Sequence, residues 1–228
     1  MISITGLGAG QNIQNPLVDQ FLERLTRTTN GVVTFYILNN LLRYAARPNS
    51  VPKMTNFIRG IMQFIDTPVR VSMRFVNRTP IIIDSFSSGA VDIDDMLNAS
   101  DHSFQLSLMH LLTERFATMG YVLLGPQQRR RVYARSHNLA LDSDVQLLSN
   151  WLNDPTIRFN FQMNGANREI MLFFSSQNPR YLSIRHSFFE TLGRDRTTSD
   201  VLIELNDGRL ISLANFLRMN PSSIPALP

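Results

Sequence analysis

His110 and Glu114 stand four residues apart near the middle of the chain. On an α-helix that spacing puts both side chains on one face, within reach of each other. An imidazole and a carboxylate so placed can serve as two ligands of a zinc ion. The plain alternative is a His–Glu hydrogen bond at a helix surface or domain seam, and spacing alone does not choose between the two. His137 falls in a second helical stretch, with Asp144 seven residues on along the same face and Asp142 five residues on, less well aligned. If His110 and Glu114 bind a metal, His137 is the natural third ligand. Asp144 or Asp142 would then orient its ring from behind. The bland reading of His137 is an ordinary helix residue beside arginines.

The element that must position the first pair runs from Asp101 to Gly120. Asp101 suits an N-cap, because its carboxylate can accept from the free amides of a first turn. Gly120 suits a stop, because glycine takes the left-handed conformation. Phe104, Leu108, Leu111, Leu112, Phe116 and Met119 recur at helical spacing and predict a broad apolar face. Ser103, Ser107, His110, Glu114 and Ala117 form a second, small and polar stripe. His110, Leu111 and Leu112 are expected to be largely buried.

The run Gly89-Ala-Val-Asp-Ile-Asp-Asp-Met-Leu97, followed by Leu108-Met-His-Leu-Leu-Thr-Glu-Arg115, resembles the strand-then-helix core of zincin-like domains. Such domains occur among bacterial effectors and toxins, some tied to contractile injection systems. In active members a His-Glu-x-x-His helix supplies two zinc ligands and the general base. Here His110 matches, Leu111 stands where the catalytic Glu would be, and Glu114 stands where the second His would be. The resemblance covers roughly residues 16 to 150. It implies a zincin-like scaffold without ordinary peptidase activity, because Leu111 cannot activate a zinc-bound water.

Composition fits a folded protein. The 228 residues are 43% hydrophobic and 18% charged, with a net charge of +4. With no cysteine, disulfides, a thiol nucleophile and thiolate metal sites are excluded. No apolar run spans a bilayer, and the N-terminus lacks the basic and apolar regions of a signal peptide. Synthesis in a bacterial cytoplasm is expected, with later export or loading into a secretion particle. Lys53 is the only lysine among 22 basic residues. Genome composition explains that simply. Delivery into a eukaryotic cell explains it more sharply, since lysine is the target of ubiquitin attachment.

The remaining chain reads in order. Residues 1–15, with Gly6-Leu-Gly-Ala-Gly10, read as a flexible lead-in that follows no strand. A helix is predicted over 16–28, a strand over 32–36 passing into a helix over 37–46, a loop over 49–52 and a helix over 54–65. Val69 to Phe75 alternates as a strand, Pro80 to Ser85 is a short strand, and Val91 to Asp94 an edge strand. Asp92, Asp94 and Asp95 read as a solvated strand edge and turn, since a calcium loop would need more oxygen ligands. Arg129, Arg130, Arg131 and Arg135, with Tyr133, read as a solvated basic face on a long helix over 129–152.

From residue 153 the pattern changes to strands: 156–163, a hairpin signal at Asn164-Gly165, then 169–174 and 181–185. A short helix over 187–192, a polar loop to 200, a hairpin over 201–212 and a helix over 213–219 follow. Residues 220–228 form a proline-rich tail. His102 and His186 read as structural or surface residues.

The fold class is therefore α+β, a helix-rich part with a small sheet over 16–152 followed by an antiparallel meander over 153–219. The function this implies is an effector or cargo-type protein on a degenerate zincin-like scaffold, with His110, Glu114 and His137 as zinc ligands. The competing reading is a structural or assembly component without an active site. Either needs a protein partner or assembly. The arginine cluster lacks the aromatic interleaving and motifs of a nucleic-acid binder.

Overall fold

Four of the six strands of the first sheet are built from short alternating or β-branched runs, β1 (Ile2–Thr5), β2 (Val33–Leu38), β3 (Leu41–Ala46) and β4 (Val71–Val76). Two shorter strands, β5 (Asp84–Ser85) and β6 (Ala90–Asp92), complete it in the order β2-β3-β1-β4-β6-β5. The computed structural model describes residues 1–7, 15–48, 54–165, 168–190 and 197–219. Strands β1, β4 and β6 run parallel, and β3, β2 and β5 are antiparallel to their neighbours. Val71, Met73 and Phe75 on β4 point into the core together with Ile2 and Ile4 of β1.

Strand β1 corrects the flexible lead-in expected over residues 1–15. Ile-Ser-Ile-Thr is too short for periodicity to show, yet it pairs on both sides, with β3 and β4. The Met1 amine donates to the carbonyls of Phe64, Thr67 and Val69 at 2.9, 2.6 and 2.6 Å. The glycine-rich stretch therefore does follow a strand. Gly6 has φ +80°, and a Cβ there would lie 2.2 Å from the Phe75 carbonyl oxygen. Only glycine fits so close an approach.

The helix expected over 37–46 is also a correction. Asn39 and Asn40 take φ of 52° and 62° and turn the chain into a β2–β3 hairpin. Two consecutive left-handed residues are the signature of a tight hairpin turn, and asparagine tolerates that conformation. Apolar content had hidden this turn.

Six α-helices are seen among the described residues: α1 (Pro16–Arg27), α2 (Asn56–Asp66), α3 (Ile93–Asn98), α4 (Asp101–Phe116), α5 (Pro126–Leu152) and α6 (Leu213–Arg218). Ser100 caps α4, accepting from the Ser103 amide. Asp101 sits in the first turn instead, where a negative charge suits the helix N-terminus, and pairs with Arg24 at 3.2 Å. Helix α5 begins three residues earlier than the sequence pattern predicted, with Pro126 in its first turn.

The acidic cluster is not solvated. Asp92, Asp94 and Asp95 are all buried. Asp92 caps α3 and accepts from the amide and hydroxyl of Thr79 at 2.8 Å each. Asp95 accepts from the amides of Ile83 at 3.1 Å and Thr197 at 2.6 Å. These carboxylates hold loops in place, and β6 is an interior strand because β5 pairs on its outer side.

The second sheet is the expected antiparallel meander, β7 (Ile157–Gly165), β8 (Arg168–Ser175), β9 (Ser183–Glu190), β10 (Thr197–Glu204) and β11 (Leu210–Ser212), in that order across the sheet. Residues 187–190 continue β9 instead of starting a helix, and β10 begins at Thr197, inside the stretch expected to be a loop. The loop expected over 49–52, the glycine-rich stretch beyond residue 7 and the proline-rich tail from 220 lie outside the described residues. Mixed and antiparallel sheets with six helices make an α+β fold.

Helix α4 lies at the centre. It packs against α5, α2, β4 and β10, so its polar stripe is buried as well as its apolar face: Ser103, Ser107, His110 and Glu114 are all inside. A helix buried all round is a core helix. At its C-terminal end, Arg115 is wholly buried. It donates to the Ser72 carbonyl at 2.8 Å, the Ala90 carbonyl at 3.1 Å and Asp84 at 3.1 Å, tying α4 to β4, β5 and β6. Arg24 on α1 does the same for α3, donating to the carbonyls of Met96, Leu97 and Ala99. No helix among the described residues is long and apolar enough to cross a membrane.

Removing Arg115 leaves the Asp84 carboxylate and two strand carbonyls without their cation. Arg115→Ala is expected to destabilise the fold by about 3–5 kcal/mol, the usual cost of breaking a buried pair from one side. Urea or guanidinium unfolding of the two proteins measures it, and a loss below about 1 kcal/mol would contradict this role for Arg115.

Candidate metal centre

The capping of α4 by Ser100 and its burial between α5 and the second sheet fix the rotation of the helix. His110 and Glu114 then face α5, four residues apart on one side of α4. His137 comes from the facing side of α5. The His110 Nε2, Glu114 Oε1 and His137 Nδ1 atoms converge. They are 3.2 Å apart for His110–Glu114, 3.1 Å for His110–His137 and 2.7 Å for His137–Glu114. Zinc bonds of roughly 2.0–2.1 Å in tetrahedral array would separate such donors by about 3.3 Å. The three residues could hold a metal ion.

Both imidazoles are oriented from behind. His110 Nδ1–H donates to Asp144 Oδ2 at 2.6 Å, which leaves Nε2 free to face the cluster. His137 Nε2–H donates to the Gln162 amide oxygen at 3.2 Å, which leaves its Nδ1 for the cluster. The Gln162 amide nitrogen then donates to Glu169 Oε1. Tyr133, one turn before His137 on α5, stacks on its ring at 5.0 Å and places its hydroxyl 3.2 Å from Nδ1. Outer partners of this kind set the tautomer and orientation of metal-ligating imidazoles.

All three sequence-predicted residues, His110, Glu114 and His137, are therefore brought together. The orienting acid is reassigned. Asp144 is fully buried and serves His110, not His137, because it projects from α5 towards α4. Asp142 is exposed and lines a different hollow beside α2. The arginines give a mixed result. Arg130, Arg131 and Arg135 are exposed, whereas Arg129 lies over the Tyr121 ring at 4.4 Å. His186 is buried inside β9 and bonds to Ser103 at 2.7 Å, and His102 packs edge-on to Trp151.

The cluster opens onto a cavity of about 210 Å³. Beyond the three candidate ligands its wall includes Asp84, Ser107, Tyr133, Gln162, Glu169 and Phe188. Leu111 is buried elsewhere in the core and is not part of that wall. The Ser107 hydroxyl is buried and has no protein partner among the described residues.

Gln162 and Glu169 could not be placed from sequence. Strict alternation from Ile157 would turn Phe161 and Met163 inward. A bulge between Phe159 and Phe161 shifts the register. Phe161 and Met163 are consequently exposed, while Gln162 pairs with the buried Met171, and Asn164 with Glu169. The one available signal was the polar content of Gln162, Asn164 and Glu169 around a hairpin turn.

Burial pushes the His110 imidazole down, but Asp144 and Glu114 outweigh it and hold it well above its ordinary value. Burial pushes Glu114 up, yet the hydrogen bonds from His110 and His137 bring it to about 2. Burial raises Asp84, to about 6, and raises Asp144 and Glu169 as well. The arrangement can bind a cation through two imidazoles and a carboxylate, with space left beside it for a further ligand.

Comparisons with protein-family models, with curated proteins and with solved structures found no match to this chain.

Two outcomes follow for metal uptake. Asp144→Asn keeps all three donor atoms but weakens the orienting bond, so metal affinity is expected to fall by about 10–100-fold in a chelator-competition titration. Because His110 is held above its ordinary value, a proton competes for its Nε2. Affinity should therefore rise with pH until His110 is neutral and then level off, with protons released on uptake. A pH-independent affinity would contradict the assignment of Nε2 as a ligand.

Proposed function

We propose that the chain is a zinc-binding effector or cargo-type protein on a zincin-like scaffold, and that it does not carry out ordinary peptide hydrolysis. The observation that carries the zinc reading is the convergence of His110 Nε2, Glu114 Oε1 and His137 Nδ1 within 2.7–3.2 Å of one another at a cavity. Two imidazoles and a carboxylate make a donor set that suits zinc. Three protein ligands beside a cavity are the pattern of reactive zinc sites, whereas structural sites use four. The orienting bonds from Asp144 and Gln162 support the same reading.

The absence of ordinary peptidase activity follows from position 111. Leu111 is wholly buried and outside the cavity wall, so α4 brings no carboxylate to the place where zincins carry their base. The effector or cargo role rests on the zincin-like run from Gly89 to Arg115, the scarcity of lysine and the absence of cysteine. Such a protein meets a host or particle partner after leaving its site of synthesis, and loses nothing when redox conditions change.

Elemental analysis of the purified native protein beside His110→Ala tests the zinc reading. The expected result is close to one zinc per chain, abolished by the substitution. Chelation should also lower the thermal midpoint of the native protein, since a ligand at about 100 times its Kd contributes about 2.7 kcal/mol. A native protein free of metal, with His110→Ala merely less stable, would overturn this reading and leave a binding or assembly protein.

A further inference from the structure

Helix α4 has no carboxylate at position 111, yet the cavity beside the three donor atoms does contain acids from other elements. Two lie outside the donor cluster, Asp84 and Glu169. Asp84 is already engaged, held by the buried Arg115 at 3.1 Å. Glu169 differs in three ways. It comes from β8 and not from α4, and it lines the same cavity as the donor cluster. Its Oε1 accepts from the Gln162 amide, whose oxygen in turn accepts from His137, so one chain of hydrogen bonds links it to the cluster. Its Oε2 makes no hydrogen bond among the described residues.

We propose that Glu169 is the proton acceptor of this site, supplied by β8 because α4 has Leu111 in that position. The inference rests on the zinc reading above. A weakly acidic molecule held at the His110–Glu114–His137 cluster loses a proton to Glu169 Oε2. One O–H bond of that molecule breaks, its electron pair stays on its oxygen, and a new O–H bond forms on the carboxyl group. The pairing of Asn164 with Glu169 and of Gln162 with Met171 across the hairpin keeps this acid on the cavity side. The bulge that turns Gln162 inward thus brings an orienting amide to His137 and positions Glu169. Burial raises Glu169 above its ordinary value, the direction that suits a group that must take up a proton.

The cavity volume suits a small probe, and acetohydroxamic acid binds zinc as its anion and must shed one proton to do so. The experiment titrates it calorimetrically into zinc-loaded native protein and Glu169→Gln, in two buffers of different ionisation enthalpy, with zinc content measured on both samples. Glutamine keeps the acceptor for the Gln162 amide, so the fold and the zinc should survive. With native protein the proton stays on Glu169 and almost none reaches the buffer. With Glu169→Gln about one proton per site should reach the buffer, and affinity should fall by roughly tenfold or more, the cost of losing one charge-assisted hydrogen bond.

Equal affinity and equal proton release, with zinc intact in both, would overturn the role of Glu169 and leave the zinc reading standing. Zinc present but no hydroxamate binding to native protein would overturn it too, since nothing then reaches Glu169. Loss of zinc in Glu169→Gln would overturn it in favour of a purely supporting role through Gln162. Native protein without zinc would remove the zinc reading, and this inference with it.

Discussion

A helix buried on every side cannot carry polar groups unless its neighbours bring partners to them, because an unpaired buried polar group costs on the order of 1–3 kcal/mol. Helix α4 carries five: Ser103, Ser107, His110, Glu114 and Arg115. The architecture around it follows from that constraint. The second sheet supplies His186 and Ser199 to Ser103. Helix α5 supplies Asp144 to His110 and His137 to Glu114. The first sheet supplies Asp84 and two strand carbonyls to Arg115. Among the described residues the Ser107 hydroxyl and the Arg115 Nε are left without a protein partner, and Ser107 lines the cavity beside His110 and Glu114.

This division of labour separates holding the fold from forming the site. Arg115 sits one residue beyond Glu114 and so points to the other side of the helix, where it joins α4 to the sheet. His110 and Glu114 then face α5 with their positions already fixed. The same carboxylate, Asp84, touches both worlds. It accepts from Arg115 and also lines the cavity. Rigid packing beneath a reactive cluster keeps donor atoms at ligand spacing without a metal having to gather them.

Sequence legibility tracked the range of the interactions involved. Helical spacing made α4 and α5 legible, and with them His110, Glu114 and His137, because i,i+4 geometry is local. The meander was legible because alternation is local too. What escaped depended on a partner or on a single conformational choice. Strand β1 exists because two other strands pair with it. The β2–β3 hairpin turns on two asparagines that adopt positive φ. Asp92, Asp94 and Asp95 look solvated in sequence, but Asp92 and Asp95 accept from amides that only the folded chain brings to them, and Asp94 is buried beside Arg78. Gln162 reaches the site through one bulge, and alternation from Ile157 read in isolation points it outward; Glu169 shares the face of the buried Met171 and Phe173, but its bond to Gln162 beside the cluster exists only in the fold.

Charge balance gives a reason to read the cluster as a cation site and not as a plain His–Glu hydrogen bond. Four carboxyl groups, those of Asp84, Glu114, Asp144 and Glu169, lie around two imidazoles, and among the described residues Arg115 is the one guanidinium bonded to any of them. Burial, first of all, holds Asp84, Asp144 and Glu169 above their ordinary values. His110 is shifted in the same direction for a different reason, the field of Asp144 overcoming burial. The shifts of these four groups are all towards keeping a proton, which offsets buried negative charge, whereas Glu114, bonded to both imidazoles, is lowered to about 2. A hydrogen-bonded His–Glu pair needs no such surplus, since one imidazolium would balance one carboxylate. A divalent cation at the three donor atoms brings two positive charges at once and makes those protons unnecessary. On the proposed zinc reading the surplus of acids is matched to a dication, and Glu169 is the acid proposed to exchange a proton.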